Sequence, residues 1–102
     1  MSPAERHLRS QLNQLLSSTG LLRASLSVHE RTCGKPGCRC NRGQKHVSLY
    51  LVASEGGKLR QLFIPKSLEA QARQWVAAYQ RVRELLEELS QLHWDKLRRR
   101  EP

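Results

Sequence analysis

All three cysteines of this chain fall between positions 33 and 40, and a histidine follows six residues after the last of them. The stretch reads Thr32-Cys33-Gly34-Lys35-Pro36-Gly37-Cys38-Arg39-Cys40-Asn41-Arg42-Gly43-Gln44-Lys45-His46. Nothing else in the sequence restricts the fold as strongly. Thiols grouped this tightly, among glycines and a proline that permit sharp turns, fit a loop closed around one divalent ion. The ligand set this predicts is Cys33, Cys38, Cys40 and His46, spaced C-x4-C-x-C-x5-H. Cys38 and Cys40 are one residue apart, so Arg39 must bulge outward if both sulfurs are to turn inward. Four protein ligands fill a tetrahedral zinc site and leave no position for a reacting water, so the zinc is expected to be structural. Three thiolates and one dication sum to −1, a charge the neighbouring basic residues offset. The same sulfurs could instead be free thiols, a redox pair with one thiol left over, or ligands of an iron–sulfur cluster, which usually takes a fourth thiolate. His29 is the competing nitrogen ligand, whereas His7 and His93 fall on helices.

Charge is the second constraint. Of 18 basic and 9 acidic residues, residues 31–66 hold eight and one, a local excess of +7 within a formal net charge of +9. The segments before and after it carry +1 each, three basic against two acidic and seven against six. A positive field concentrated around the cysteine loop attracts polyanions, nucleic acid foremost. The candidate phosphate contacts are Lys35, Arg39, Arg42, Lys45, Lys58 and Arg60. Met1–Arg6 is polar and no apolar run approaches membrane-spanning length, so neither a leader nor a membrane span is expected. With three clustered cysteines, this favours metal binding in a reducing cytoplasm.

A chain of 102 residues is expected to make one domain, of class α+β. Its parts would be an N-terminal helical segment (1–20), a β-meander with the metal loop (21–66), and a long helix with a basic tail (67–102). Ser2-Pro3-Ala4-Glu5 has the form of a capping box, and Leu8, Leu12, Leu15 and Leu16 share one face of a helix over about 3–18. Gly20 is the expected left-handed cap. Alternation predicts a strand at about 24–31, and β-formers predict a second at 47–53. Gly56-Gly57 then turns the chain into a third strand over 58–64, which Pro65 ends. The last third reads as one helix over about 67–99, some 50 Å long at 1.5 Å per residue. Leu68, Ala72, Trp75, Tyr79, Val82, Leu86 and Leu89 recur at steps of four and three, continued by His93. Such a heptad seam packs along another helix, either the first helix folded back or the same helix of a second copy. Trp75, Tyr79, Val82, Leu86 and Leu89 are the candidate seam of a homodimer.

The run from Arg31 to Cys40, with its C-G-K-x-x-C-R-C pattern, followed by Arg42-Gly43 and His46, resembles a family of small uncharacterised bacterial proteins. These carry a domain of unknown function and occur in mobile-element neighbourhoods. The resemblance extends through Gly56-Gly57-Lys58, Ile64-Pro65-Lys66 and the helix holding Trp75 and Tyr79, across most of residues 21–97. In that family the histidine is commonly followed by Gly-Pro-Tyr, whereas here Val47-Ser48-Leu49 stands there and Tyr50 comes one step late. The family supplies no biochemical activity. It implies that the cysteines and His46 act as one unit.

Two functions fit these features. One is a small zinc-stabilised module that binds DNA or RNA, accessory to a mobile element. The other is a zinc-braced coiled-coil adaptor that binds protein and no nucleic acid. An enzyme is not expected: there is no Ser/His/Asp set and no phosphate-cradling glycine loop. Glu55 is the sole acid between residues 31 and 66.

Overall fold

A computed structural model describes the backbone of residues 1–31 and 46–101 and the side chains of residues 1–30 and 47–101. In chain order the elements are helix α1 (Pro3–Ser18), strands β1 (Ser25–Arg31), β2 (His46–Glu55) and β3 (Lys58–Ile64), and helix α2 (Glu69–Arg98). A single 3-10 turn at Lys66–Leu68 precedes α2. The arrangement is α+β, with a three-stranded antiparallel meander that follows α1 and precedes α2 in the chain, as the periodicities predict. The chain divides into two compact units, Met1–Leu22 with Gln74–Pro102, and Arg23–Arg73. The first turn of α2 belongs to the second of these.

In the helical unit, Ser2 caps α1 by accepting the Glu5 N–H at its Oγ, 3.2 Å away, and Pro3 occupies the first turn. Only half of the expected capping box forms. The Glu5 carboxylate turns to Arg9 rather than back to the cap, because Lys96 and the His93 ring from α2 also converge on it. α1 ends on Thr19 in an extended conformation (φ −148°), and Gly20 is not a left-handed cap as its position suggests. Gly20 is needed for space. A Cβ there would lie 2.4 to 2.7 Å from three indole atoms of Trp75. Beside it, the Leu22 N–H donates to the Trp75 carbonyl at 3.1 Å.

Leu12 of α1 meets Val82, Leu85 and Leu89 of α2, flanked by Leu8, Leu15 and Leu21. Glu5 reaches His93 and Lys96, while Gly20 lies on Trp75, so the two helices run in opposite directions. Two heptad registers overlap on α2, since Ala78-Val82-Leu85-Leu89-Leu92 has the same four–three rhythm as Tyr79-Val82-Leu86-Leu89-His93. The buried register is the first. Leu85 is wholly covered and Leu86 is 52% exposed. Helix α2 closes with Arg100 in the left-handed region (φ 58°). The Arg100 N–H donates to the Leu97 carbonyl and the Glu101 N–H to the Lys96 carbonyl, the bond pair of a Schellman cap.

In the sheet unit, Gly56 and Gly57 have φ of 59° and 80°, the double positive φ that a two-residue hairpin turn requires. That turn sets Leu49 opposite Ile64 and Tyr50 opposite Phe63. On the other side of β2, Leu26 pairs Leu51 and His29 pairs Ser48. Strand alternation then sorts the side chains. Leu26, Leu49, Leu51 and Ile64 lie on one face and pack with Ala72 from the first turn of α2. A single helical turn covers little area, so Val28, Val47 and Leu62 on the same face remain exposed. The opposite face carries Ser27, His29, Ser48, Tyr50, Gln61 and Phe63.

Candidate nucleic-acid interface

Cys33, Cys38, Cys40, Lys35, Arg39, Arg42 and Lys45 lie outside the described residues, as does the side chain of His46. The backbone of His46 opens β2 and pairs with Arg31, so the cysteine segment joins two adjacent antiparallel strands at one end of the sheet. Among the described residues, no three histidine, cysteine, aspartate or glutamate side chains gather as a metal site would require. His29, the competing nitrogen ligand, is engaged within the sheet. Its Nε2 is 3.0 Å from the Ser27 hydroxyl, and its ring lies against Tyr50.

The two strand cations sit on β3, which among the described residues is an edge strand with β2 as its one neighbour. Lys58 and Arg60 share the face of Leu62 and Ile64, at the hairpin end that the first turn of α2 does not cover. Arg60 Nε is 2.9 Å from Glu55 Oε2, and both side chains are mostly in water, so the pair is worth at most about 1 kcal/mol. Arg60 can exchange this partner for a phosphate at little cost. Arg23, just before β1, donates to the Ser54 carbonyl at 3.0 Å and adds a third cation at the hairpin end.

What sequence reading passed over is the grouping of His29, Tyr50 and Phe63. His29, Tyr50 and Phe63 come from β1, β2 and β3 and form a row across the sheet. Ring centroids are 4.5 Å apart for His29 and Tyr50, tilted at 32°, and 5.7 Å apart for Tyr50 and Phe63, edge to face. Phe63 is 52% exposed. The signal was present in part. The Gly56-Gly57 turn alone sets Tyr50 opposite Phe63, whereas placing His29 beside them needs the register across the cysteine segment. Glu30 and Glu55 both alternate to the other face, so no described side chain on the aromatic face bears a carboxylate.

The candidate dimer seam divides. Val82 and Leu89 are buried against α1, and Trp75, half-buried, lies over Gly20. Tyr79 is half-buried and Leu86 exposed. Leu86 instead lines a shallow groove of about 550 Å³ with Ser90, His93, Trp94, Leu97 and Arg9. Glu5 anchors the two helices beside this groove. The hydrogen bond from Arg9, 2.9 Å away, holds its carboxyl below the ordinary 4.5. The Arg9 and Lys96 charges and a bond from His93 act in the same sense, against the opposing effect of burial.

Among the described residues no helix is long and apolar enough to cross a membrane. Neither a curated protein nor a solved structure matches the chain. A family model does match, over residues 3–74, from the first turn of α1 through the cysteine segment and the sheet into the start of α2. It therefore takes in α1, which the resemblance read from the cysteine motif did not include, and stops short of most of α2. By that match the chain belongs to the family described as Domain of unknown function (DUF6788).

Proposed function

We propose that this chain is a small nucleic-acid-binding protein of the cytoplasm, accessory to a mobile element, whose cationic segment is held by structural zinc. The observation that carries the reading is the charge distribution: eight of the basic residues and one acid lie within residues 31–66. Cys33, Cys38, Cys40 and His46 would be the ligands. Lys35, Arg39, Arg42 and Lys45 would stand between them, with Lys58 and Arg60 at the hairpin end of the sheet. Zinc would close the segment into one conformation and so reduce the entropy lost when its cations engage phosphates. Such contacts give affinity without base specificity. Five or six of them imply that log affinity falls with log salt at a slope of about −5. Fluorescence anisotropy with labelled DNA and RNA across a salt series tests this. Replacing Lys35, Arg39 and Arg42 together should flatten the slope by about 3. Absent or salt-independent binding overturns the reading.

A second reading is favoured by the groove on α2. Leu86, Trp94 and Leu97 form an exposed apolar stripe at helical spacing, as an adaptor would offer to a partner helix or to a second copy. Leu86→Asp with Leu97→Asp separates the readings. Loss of an oligomer with nucleic-acid binding intact assigns the stripe to association alone. Val82 is unsuitable for this test because its side chain is part of the core between α1 and α2.

A further inference from the structure

We propose that the open face of the sheet is a stacking platform for unpaired nucleobases, so that the nucleic acid this chain takes is single-stranded. The inference rests on the nucleic-acid reading above and narrows it. Its basis is the His29–Tyr50–Phe63 row, one ring from each strand, with centroids 4.5 and 5.7 Å apart. Cross-strand aromatic pairs ordinarily stabilise a sheet, but they do so best when covered. Here the row faces water and Phe63 keeps half of its surface open.

The surroundings select the occupant. Ser27, Ser48 and Gln61 flank the rings with hydroxyls and an amide. These groups can donate to phosphate oxygens and base edges without adding charge. Val52 and the exposed Leu59 extend this face toward the hairpin, but Ser27, Ser48 and Gln61 interrupt its apolar surface, which a helix of another protein would find poor. Anions meet no carboxylate among the described side chains here, since Glu30 and Glu55 alternate away. Arg23 lies at the hairpin end, where Lys58 and Arg60 stand on the opposite face, and residues 31–66, which include both β3 cations, carry a net charge of +7 by the eight-against-one count. Every base has a π-face to stack, but a duplex buries those faces between neighbouring pairs. An open ring row free of described carboxylates, in a chain of net charge +9, therefore favours bases that are already unpaired.

The experiment compares a labelled oligothymidylate with a duplex of the same length, by anisotropy, using the full chain loaded with zinc. Phe63→Ala should weaken oligothymidylate binding by about 5- to 150-fold, the range for loss of one stacked base. Its salt slope should not change, because no phosphate contact is removed. Duplex binding should stay within about twofold. Equal loss on both probes, or no loss on either, overturns the platform and leaves the phosphate reading standing. No binding of either probe by the parent chain overturns both. A change of oligomeric mass in Phe63→Ala, seen by sedimentation, assigns the face to self-association and overturns the platform. Should Phe63→Ala fail to fold, photo-crosslinking of the parent chain to a 5-iodouracil oligonucleotide gives the answer. Crosslinks mapped to Phe63, Tyr50 or His29 support the platform, and crosslinks confined to other residues overturn it.

Discussion

The most searching structural prediction concerns two adjacent leucines. Leu85 is wholly covered and touches the cluster of Leu12, Val82 and Leu89, whereas Leu86 is 52% exposed. Leu85→Ala removes a fully buried side chain and leaves a cavity between two helices, at a cost of about 2–5 kcal/mol. Taking 3 kcal/mol, and about 4–8 °C per kcal/mol for a chain of this size, the Tm should fall by roughly 12–24 °C. Leu86→Ala removes half-solvated surface and should cost less than about 1 kcal/mol. Thermal unfolding followed by circular dichroism, repeated over a hundredfold range of protein concentration, reads both values. The refuting result is a larger loss for Leu86→Ala, with a Tm that rises with concentration. It would mean that the register containing Leu86 packs against a second copy and that α1 is not the principal partner of α2.

Three further perturbations follow. Glu5 has a depressed carboxyl pKa, so its ionised contacts stabilise the fold above pH 4.5 and are lost as pH falls through the depressed value. Glu5→Gln should lower stability at pH 7 and flatten the acid limb of a Tm-against-pH curve; an unaltered acid limb would remove Glu5 as the anchor. Arg100 sits in a left-handed conformation that glycine adopts without strain, so Arg100→Gly should raise stability by up to about 1 kcal/mol in urea unfolding. A loss there would show that the Schellman cap is not formed. Gly20→Ala forces a methyl onto the Trp75 indole and should cost about 1–3 kcal/mol, with a shifted tryptophan emission; a neutral effect would contradict the close approach.

Much of the framework was legible because local chemistry and global packing agree. Ser2-Pro3 marks the start of α1, and Gly56-Gly57 sets a two-residue turn, with β3 ending just before Pro65 as read. What could not be read depends on distant partners. Leu85 and Leu86 satisfy overlapping heptads equally well, and only the position of α1 selects between them. Gly20 looks like a cap because glycine after a helix usually is one, yet its role is set by Trp75, fifty-five positions away. Glu5 had the spacing of a capping box, but Arg9, His93 and Lys96 outcompete a single backbone N–H. The aromatic row needed strand parity across the cysteine segment, which no local pattern supplies. Of the candidate site, Lys58 and Arg60 fall on the third strand, whose place was read, while the cysteine segment lies outside the described residues.

Native mass spectrometry of the chain with an oligothymidylate tests in one spectrum both halves of the proposed function, zinc in the cationic segment and its engagement of nucleic acid. The predicted result is a chain carrying one zinc ion, a further peak for that species with one oligonucleotide, and loss of both in Cys40→Ser. A metal-free chain that binds the oligonucleotide equally well, or a zinc-loaded chain that binds none, would contradict it.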